Sequence, residues 1–206
     1  MAYNCYEGPL LTQSDDELRK KRIAVKQRRL LKSQIVEAWV HSIETDYPAK
    51  RIASERSLQA SFWSVLNQIF EKNRRVFIEP TLFVHGRPII PDLVICNSRS
   101  VIAVIELKYS PRAGPRYKKD IGNLALIAEH RSNVALSDAR FRGVNSSEKV
   151  YPLANHVLFV WAGVHAKVRK LPTHLYSNGH TFLDGCFMEL HAETTKTSPP
   201  AVTVRP

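Results

Sequence analysis

The chain has 206 residues, of which 44% are hydrophobic, and this is enough apolar material for one sizeable core. Its 30 Lys and Arg residues against 19 Asp and Glu residues give a net charge of +11, which indicates a polyanionic partner, nucleic acid before an anionic membrane. The three cysteines lack the spacing of a zinc site or a disulfide scaffold. No apolar run could span a membrane and no signal-peptide pattern opens the chain, so we expect a soluble, cytoplasmic protein.

The first predicted element is a long helix, from about residue 15 to residue 45, because apolar residues recur there at helical spacing. Eight Lys and Arg residues lie within residues 19–32. A basic helical face of this kind either follows the phosphates of a nucleic acid or faces solvent. We interpret residues 1–50 as a basic helical extension, residues 51–191 as the main domain and the Thr- and Pro-rich residues 192–206 as a disordered tail.

A second helix and a first strand are predicted next. The helix covers about residues 54–72 and carries Glu55 in its first turn. An acidic residue is favourable there against the helix dipole, whatever its function. The apolar residues 75–84 predict a strand that is interrupted at Pro80, and a turn at residues 85–88 follows.

Two apolar, β-branched runs, residues 89–96 and 101–108, then flank a polar stretch with turn composition, Asn97–Ser100. This pattern predicts a β-hairpin. If the loop consists of three residues, Asn97 faces Val101 across the hairpin. The register is an assumption that a slip by one residue would overturn.

Charged residues interrupt this apolar hairpin at one end. In the assumed register Asp92 lies directly opposite Glu106, and opposed residues point to the same face with Cβ atoms roughly 5 Å apart. Side chains alternate along a strand, so Lys108 shares that face with Glu106. The sequence therefore predicts two carboxylates and one ammonium group together at the end of a buried hairpin.

Two carboxylates at that distance repel each other unless a cation compensates them. Mg²⁺ suits such a pair, because it takes one or two protein carboxylates and keeps waters and phosphate oxygens as its other ligands. Lys108 could then orient or deprotonate an attacking water, or stabilise charge on a phosphate. An ordinary hairpin with solvated charges is the alternative, and it is disfavoured because charges beside a hydrophobic sheet are costly unless paired or bound to metal.

The segment after the hairpin is basic. Residues 109–116 form a Pro- and Gly-rich loop that is either a substrate-contacting flap or a simple connection. A helix is predicted from about Tyr117 to His130, and cations in its first turn oppose the helix dipole unless a phosphate binds there. The candidate nucleic-acid contacts of this segment are Arg112, Arg116, Lys118 and Lys119.

The last third of the chain carries fewer signals. An exposed polar loop is predicted within residues 131–152, a core strand at residues 156–164 and a final strand at residues 181–190. The histidines of this part have no metal-ligand spacing, and we expect them to be structural or exposed to solvent. They are His165, His174 and His180.

The sequence Pro91-Asp92, a gap of thirteen residues and then Glu106-Leu107-Lys108 resembles the motif of the PD-(D/E)xK nuclease superfamily at all four positions. The resemblance covers about residues 54–165. It implies an α/β fold with a restriction-endonuclease-like αβββαβ core, in which helices flank a mixed central sheet; here an N-terminal helical extension precedes it.

The resemblance also implies roles for individual residues. Asp92 and Glu106 would bind Mg²⁺, with the backbone carbonyl of Leu107 as a further ligand, and Mn²⁺ is an alternative cation. The helix before the strands of this family often carries another acidic residue, a position that Glu55 fits, with Glu79 as its rival. Lys108 would position or activate the attacking water.

The predicted function is Mg²⁺-dependent hydrolysis of phosphodiester bonds, with DNA endonuclease activity preferred over action on RNA or on branched or single-stranded substrates. A homodimer, or a partner protein from a defence or mobile-element system, is compatible with this function. The alternative from another class is a non-catalytic, nucleic-acid-binding subunit of a larger nucleoprotein complex that retains the nuclease fold.

Overall fold

The computed structural model describes residues 13–70, 72–138, 149–168 and 172–206. The helices in these ranges are α1 (Gln13–His41), α2 (Glu55–Ile69) and α3 (Lys118–Glu129). The strands are β1 (Arg75–Ile78), β2 (Leu82–Val84), β3 (Arg87–Ile89), β4 (Leu93–Cys96), β5 (Val101–Ser110), β6 (Ala135–Ser137), β7 (Val150–Ala166), β8 (Phe187–Thr194) and β9 (Ala201–Arg205). No helix within these ranges is both long and apolar enough to cross a membrane.

The fold is α/β with a mixed central sheet. Its strand order is β1-β4-β5-β7-β8-β9, and β6 pairs with the first part of β7. Strand β7 is parallel to both β5 and β8, whereas the other pairs of this sheet are antiparallel. Strands β2 and β3 form a separate hairpin between β1 and β4. The coarse fold class predicted from the sequence is confirmed.

Each face of the sheet is covered by a different apolar cluster. Helices α1 and α2 pack on one face, where Trp39 meets Phe62 with the two ring planes at 76°. Helix α3 packs on the other face, which we call the α3 face. Side chains alternate along β5, so Ile105 and Leu107 belong to the first cluster, and Glu106 and Lys108 point to the α3 face.

Helix α2 begins where the sequence predicted. Its N-cap is Ser54, whose side chain accepts a hydrogen bond from the amide of Ser57 at 3.2 Å, while the Ser57 hydroxyl accepts one from the amide of Ser54 at 2.8 Å. The two reciprocal hydrogen bonds form a capping box. They place Glu55 at the first helical position, at the end of the sheet where β5 finishes.

The prediction of one interrupted strand over residues 75–84 is wrong, and so is that of a continuous strand over residues 89–96. Strand β1 ends before Pro80, which has no N–H to donate, and β2 leaves the sheet to pair with β3. Glu79 turns the chain with φ of 46°. The inserted hairpin therefore begins and ends next to Asp92.

Two predictions about the ends of the chain are also wrong. The predicted disordered tail contains β9, which forms because Val202 and Val204 pack on the α1/α2 side of the core while the backbone pairs with β8. Helix α1 is not a separate extension in its second half, because Leu31, Ile35 and Trp39 belong to the same core cluster as α2.

The predictions for the last third of the chain are mixed. Helix α3 matches its prediction, and the strand predicted at residues 156–164 is part of the longer β7. The final strand was placed too early, since residues 181–183 form a single 3₁₀ turn before β8. Much of the predicted polar loop, residues 139–148, lies outside the described residues.

Candidate active site

Asp92 and Glu106 face each other at the end of the β4–β5 hairpin, as predicted. The antiparallel register pairs Leu93 with Ile105 and Val94 with Val104, and one step further along the same register Asp92 meets Glu106. The predicted pairing at the turn is wrong by one residue, because Cys96 rather than Asn97 faces Val101. A β-bulge there absorbs the difference, so the register at the charged end is unaffected.

Asp92 is held in place by three hydrogen bonds. Its Oδ2 accepts from the amide of Leu107 at 2.6 Å. Its backbone carbonyl accepts from Gln59 Nε2 at 3.0 Å and from the amide of Glu79 at 2.9 Å. The side chain of Asp92 is therefore oriented by β5 and its backbone by α2 and the start of the inserted hairpin.

The environment of the two carboxylates disfavours their ionised forms. Burial raises the pKa of Glu106, which is only 6% exposed, and the nearby charges of Asp92 and Asp120 raise it further. Burial likewise raises the pKa of Asp92, against the opposing effect of the Leu107 amide. One oxygen of the pair, Glu106 Oε1, is buried without a hydrogen-bond partner in the protein.

Lys108 and Glu55 form an ion pair beside these carboxylates. Lys108 Nζ lies 3.2 Å from Glu55 Oε2, and the same oxygen accepts a hydrogen bond from the amide of Tyr109 at 3.0 Å. Burial acts to lower the pKa of Lys108, but the carboxylates of Asp120 and Glu55 outweigh it, and the pKa is raised. The ammonium form of Lys108 is thus favoured at neutral pH.

The structure separates the two candidates for a third acidic residue. Glu55 contacts Lys108 directly, and its charge also raises the pKa of Asp92. Glu79 is exposed, and its backbone amide rather than its carboxylate contacts Asp92. Glu55 therefore belongs to the charged group, although its observed partner is the lysine.

Two buried polar residues near the site were not predicted. Asp120, 8% exposed in the first turn of α3, lies within electrostatic reach of Glu106 and Lys108. Gln59 on α2 supports the backbone of Asp92. Both share the helical spacing of the apolar residues on their helices, since Asp120 precedes the buried Leu124 by four positions and Gln59 precedes the buried Phe62 by three. That spacing was the available signal.

The predicted basic contacts lie on the surface between β5 and α3. Arg112, Arg116, Lys118 and Lys119 are all exposed. The residue before α3, Tyr117, makes no side-chain hydrogen bond to the first turn of the helix. The first turn of α3 thus has no side-chain cap, and the cations beside it are exposed to solvent.

A second polar cluster lies on the same face of the sheet, and we call it the buried polar chain: His165, Glu189, His191 and Arg205. His165 Nε2 lies 3.0 Å from His191 Nδ1, and His191 Nε2 lies 3.0 Å from Glu189 Oε2. Arg205 donates to Glu189 Oε2 at 2.7 Å, and the amide of Tyr176 donates to Glu189 Oε1. The prediction that His165 is structural agrees with its burial in this chain.

Trp161 separates the two clusters. The parallel registers place it between Glu106 on β5 and Glu189 on β8. Its ring lies over Gly163, where an added Cβ would come within 2.2 Å of the indole. Glycine at that position therefore allows the indole to fill the space between the carboxylates and the buried polar chain.

The oxygen donors at Asp92 and Glu106 fit a hard divalent cation. Among the described residues, no three His, Cys, Asp or Glu side chains form a group that could hold a metal ion by themselves. Mg²⁺ does not require such a group, because it binds through one or two carboxylates and keeps waters and phosphate oxygens. The buried oxygen of Glu106 without a protein partner is also of the kind that such a cation binds.

Comparison of the chain with protein-family models, with curated proteins and with solved structures finds no match. The resemblance to PD-(D/E)xK nucleases accordingly rests on Pro91, Asp92, Glu106 and Lys108 themselves. Their geometry is the basis for the functional argument that follows.

Proposed function

We propose that this protein is a Mg²⁺-dependent nuclease that hydrolyses phosphodiester bonds, with DNA as its preferred substrate and internal cleavage as its mode. The observation that carries the proposal is the meeting of Asp92 and Glu106 at the end of one hairpin, with Lys108 two residues beyond Glu106 on the same face. Buried carboxylates with raised pKa values beside a lysine are typical of a functional site rather than of a solvated hairpin end.

In this proposal Asp92 and Glu106 hold Mg²⁺, with the Leu107 carbonyl and Glu55 as further candidate ligands and Mn²⁺ as an alternative cation. When bound, the cation supplies a Lewis acid that polarises a phosphate and lowers the pKa of a coordinated water. Lys108 is held as an ammonium by Glu55, so its role is to orient water or stabilise phosphate charge rather than to remove a proton.

The surroundings of the site support a nucleic-acid substrate. Four exposed cations lie on the loop and helix that follow β5, and the whole chain carries a net charge of +11. Contacts from such residues to phosphates position a substrate without reading its sequence. We therefore propose Arg112, Arg116, Lys118 and Lys119 as backbone contacts that give affinity but no sequence preference.

The order of elements gives further support. Helix α2, strands β1, β4 and β5, helix α3 and strand β7 occur in the order that the αβββαβ core of the resembled superfamily has, with the β2–β3 hairpin inserted before β4 and strand β6 before β7. We propose a restriction-endonuclease-like core on this basis.

Cleavage of supercoiled and linear DNA in the presence of Mg²⁺ tests the proposal. We expect Asp92→Asn, Glu106→Gln and Lys108→Met each to reduce the rate by about 100-fold or more, because the first two remove ligands of the proposed cation and the third removes the charge that acts on the water or the phosphate. Glu79→Gln is the matched control, since it removes an exposed carboxylate and keeps the backbone amide that donates to the carbonyl of Asp92.

Equal rates in all variants would refute the assignment of the site. A different result is that the wild type binds DNA without cleaving it and shows no affinity for divalent cations that depends on Asp92. This result would favour the non-catalytic binding subunit. RNA and branched DNA substrates in the same assay distinguish the alternative substrates.

A further inference from the structure

Three buried polar atoms without a protein hydrogen-bond partner lie on the α3 face around Glu106. They are Glu106 Oε1, Asp120 Oδ2 and Trp161 Nε1. Glu106 and Trp161 are direct neighbours in the parallel pairing of β5 with β7. Buried polar atoms nearly always have partners. The indole N–H of Trp161 lies near the Asp120 carboxylate, whereas Glu106 Oε1 has no donor beside it and therefore indicates a polar ligand at Glu106.

Asp120 is brought to this place by the packing of α3. The charge of Asp120 raises the pKa of Glu106. The nearby indole N–H of Trp161 favours the ionised form of Asp120, although the two groups do not reach full hydrogen-bond geometry. A purely structural aspartate in a first helical turn needs only the helix dipole and solvent. Asp120 is instead more than nine-tenths buried, within electrostatic reach of the carboxylates of Glu106 and Glu55.

We infer that Asp120 is a third acidic residue of the site, which strengthens the binding of a divalent cation without ligating it directly. The described carboxylates do not converge as a three-ligand group, so Asp120 acts from outside the ligand shell, by its charge and by accepting a hydrogen bond from a cation-bound water. The indole N–H of Trp161 lies near the Asp120 carboxylate and favours its ionised form. This inference rests on the proposed function.

Titration of the intact protein with Mn²⁺, with free Mn²⁺ measured by electron paramagnetic resonance, tests the role of Asp120. We expect Asp120→Asn to raise the Kd for Mn²⁺ by about 10-fold to 100-fold, the range found for partners outside the ligand shell. Glu129→Gln is the control, because it removes an exposed carboxylate from the other end of the same helix and should leave the Kd unchanged.

A second variant tests the same inference without changing a charge. Trp161→Phe removes the N–H that faces Asp120 and keeps an aromatic side chain, and it also removes the part of the indole that lies over Gly163. We expect Trp161→Phe to raise the Kd for Mn²⁺ as well, but by only about 2-fold to 5-fold. The effect is smaller than that of Asp120→Asn because one hydrogen-bond donor contributes less than the charge of its acceptor.

The outcomes separate the inference from the proposed function. Two results would refute the proposed function: the wild type does not bind Mn²⁺, or it binds Mn²⁺ and Asp92→Asn does not abolish the binding. Either result would also refute the role of Asp120. If Asp92→Asn abolishes binding but Asp120→Asn and Trp161→Phe both bind as the wild type does, only the role of Asp120 is refuted.

Discussion

Two groups of buried charged residues lie side by side on the α3 face of the sheet, and they differ in how completely they are hydrogen-bonded. In the buried polar chain, both oxygens of Glu189 are occupied, by the amide of Tyr176 and by His191 and Arg205. In the other group, Glu106 keeps an oxygen without a partner and its pKa is raised by burial and by neighbouring carboxylates. The two glutamates belong to the same row of the sheet, separated by Trp161.

On this comparison we propose that the buried polar chain is structural and that the group around Glu106 is functional. A buried charge that is fully paired ties elements together, and Glu189 joins β8, β9 and the segment that contains Tyr176. A buried charge that is left short of partners lowers stability, and it persists in proteins mainly where a ligand completes it. Three predictions test this difference, from the largest effect to the smallest.

The largest difference is expected between Glu189→Gln and Glu106→Gln, which make the same substitution in β8 and β5, the strands on either side of β7. Loss of the Glu189 carboxylate leaves Arg205 and His191 without their ionic partner and should lower the free energy of unfolding by about 3–5 kcal/mol. Burial and the nearby carboxylates raise the pKa of Glu106 to about 9, so this group is already protonated at neutral pH in cation-free buffer, and its replacement by a neutral amide should change the free energy of unfolding by less than about 1 kcal/mol. Urea unfolding measures both values, and similar losses in the two variants would contradict the comparison.

An intermediate effect is expected from pH. The pKa of Glu106 is higher in the folded protein than in the unfolded chain, so its contribution to stability is complete below about pH 4, the ordinary carboxyl range, and declines as the pH rises toward the folded-state pKa. Asp92 acts in the same direction. The cation-free protein should therefore become less stable as the pH rises above this range, and Mg²⁺ should stabilise it more at about pH 8 than at about pH 6.

Thermal unfolding with and without Mg²⁺ checks this dependence. In Glu106→Gln both the loss of stability with pH and the pH-dependent effect of Mg²⁺ should be smaller, because the group that titrates is gone. Stabilisation by Mg²⁺ of equal size at both pH values in the wild type would argue against cation binding at these carboxylates.

The smallest effect on stability is expected at the Glu55–Lys108 ion pair. Its side chains are 42% and 27% exposed, so Glu55→Gln should lower the free energy of unfolding by no more than about 1 kcal/mol. The same substitution releases Lys108 and should still reduce the rate of DNA cleavage. Arg51→Gln is a control that breaks another partly exposed ion pair, with Asp46, and it should leave the cleavage rate unchanged. A cleavage rate unaffected by Glu55→Gln would exclude this residue from the site.

Much of the candidate site was predictable because it is local. Asp92, Glu106 and Lys108 lie on one hairpin, where turn composition and the alternation of side chains limit the register to few choices. The start of α2 at Ser54, and with it the position of Glu55, follows from short-range capping. The α/β class follows in the same way from the alternation of helical and strand periodicity along the chain.

Other features depend on contacts between distant parts of the chain. Asp120 and Gln59 become part of the site only when α3 and α2 pack on opposite faces of the sheet, and β9 is a strand only because β8 provides an edge for residues that look disordered in isolation. The partners of Glu189 come from three separate segments.

The hairpin, its two facing carboxylates and the adjacent lysine follow from the amino-acid sequence, since they are set by interactions over a few residues. Which buried charges have hydrogen-bond partners and which do not follows from the packing of remote elements, because these elements supply the donors and acceptors in the core. That distinction, between Glu189 and Glu106 in one row of one sheet, is what identifies the second of them as part of the candidate site.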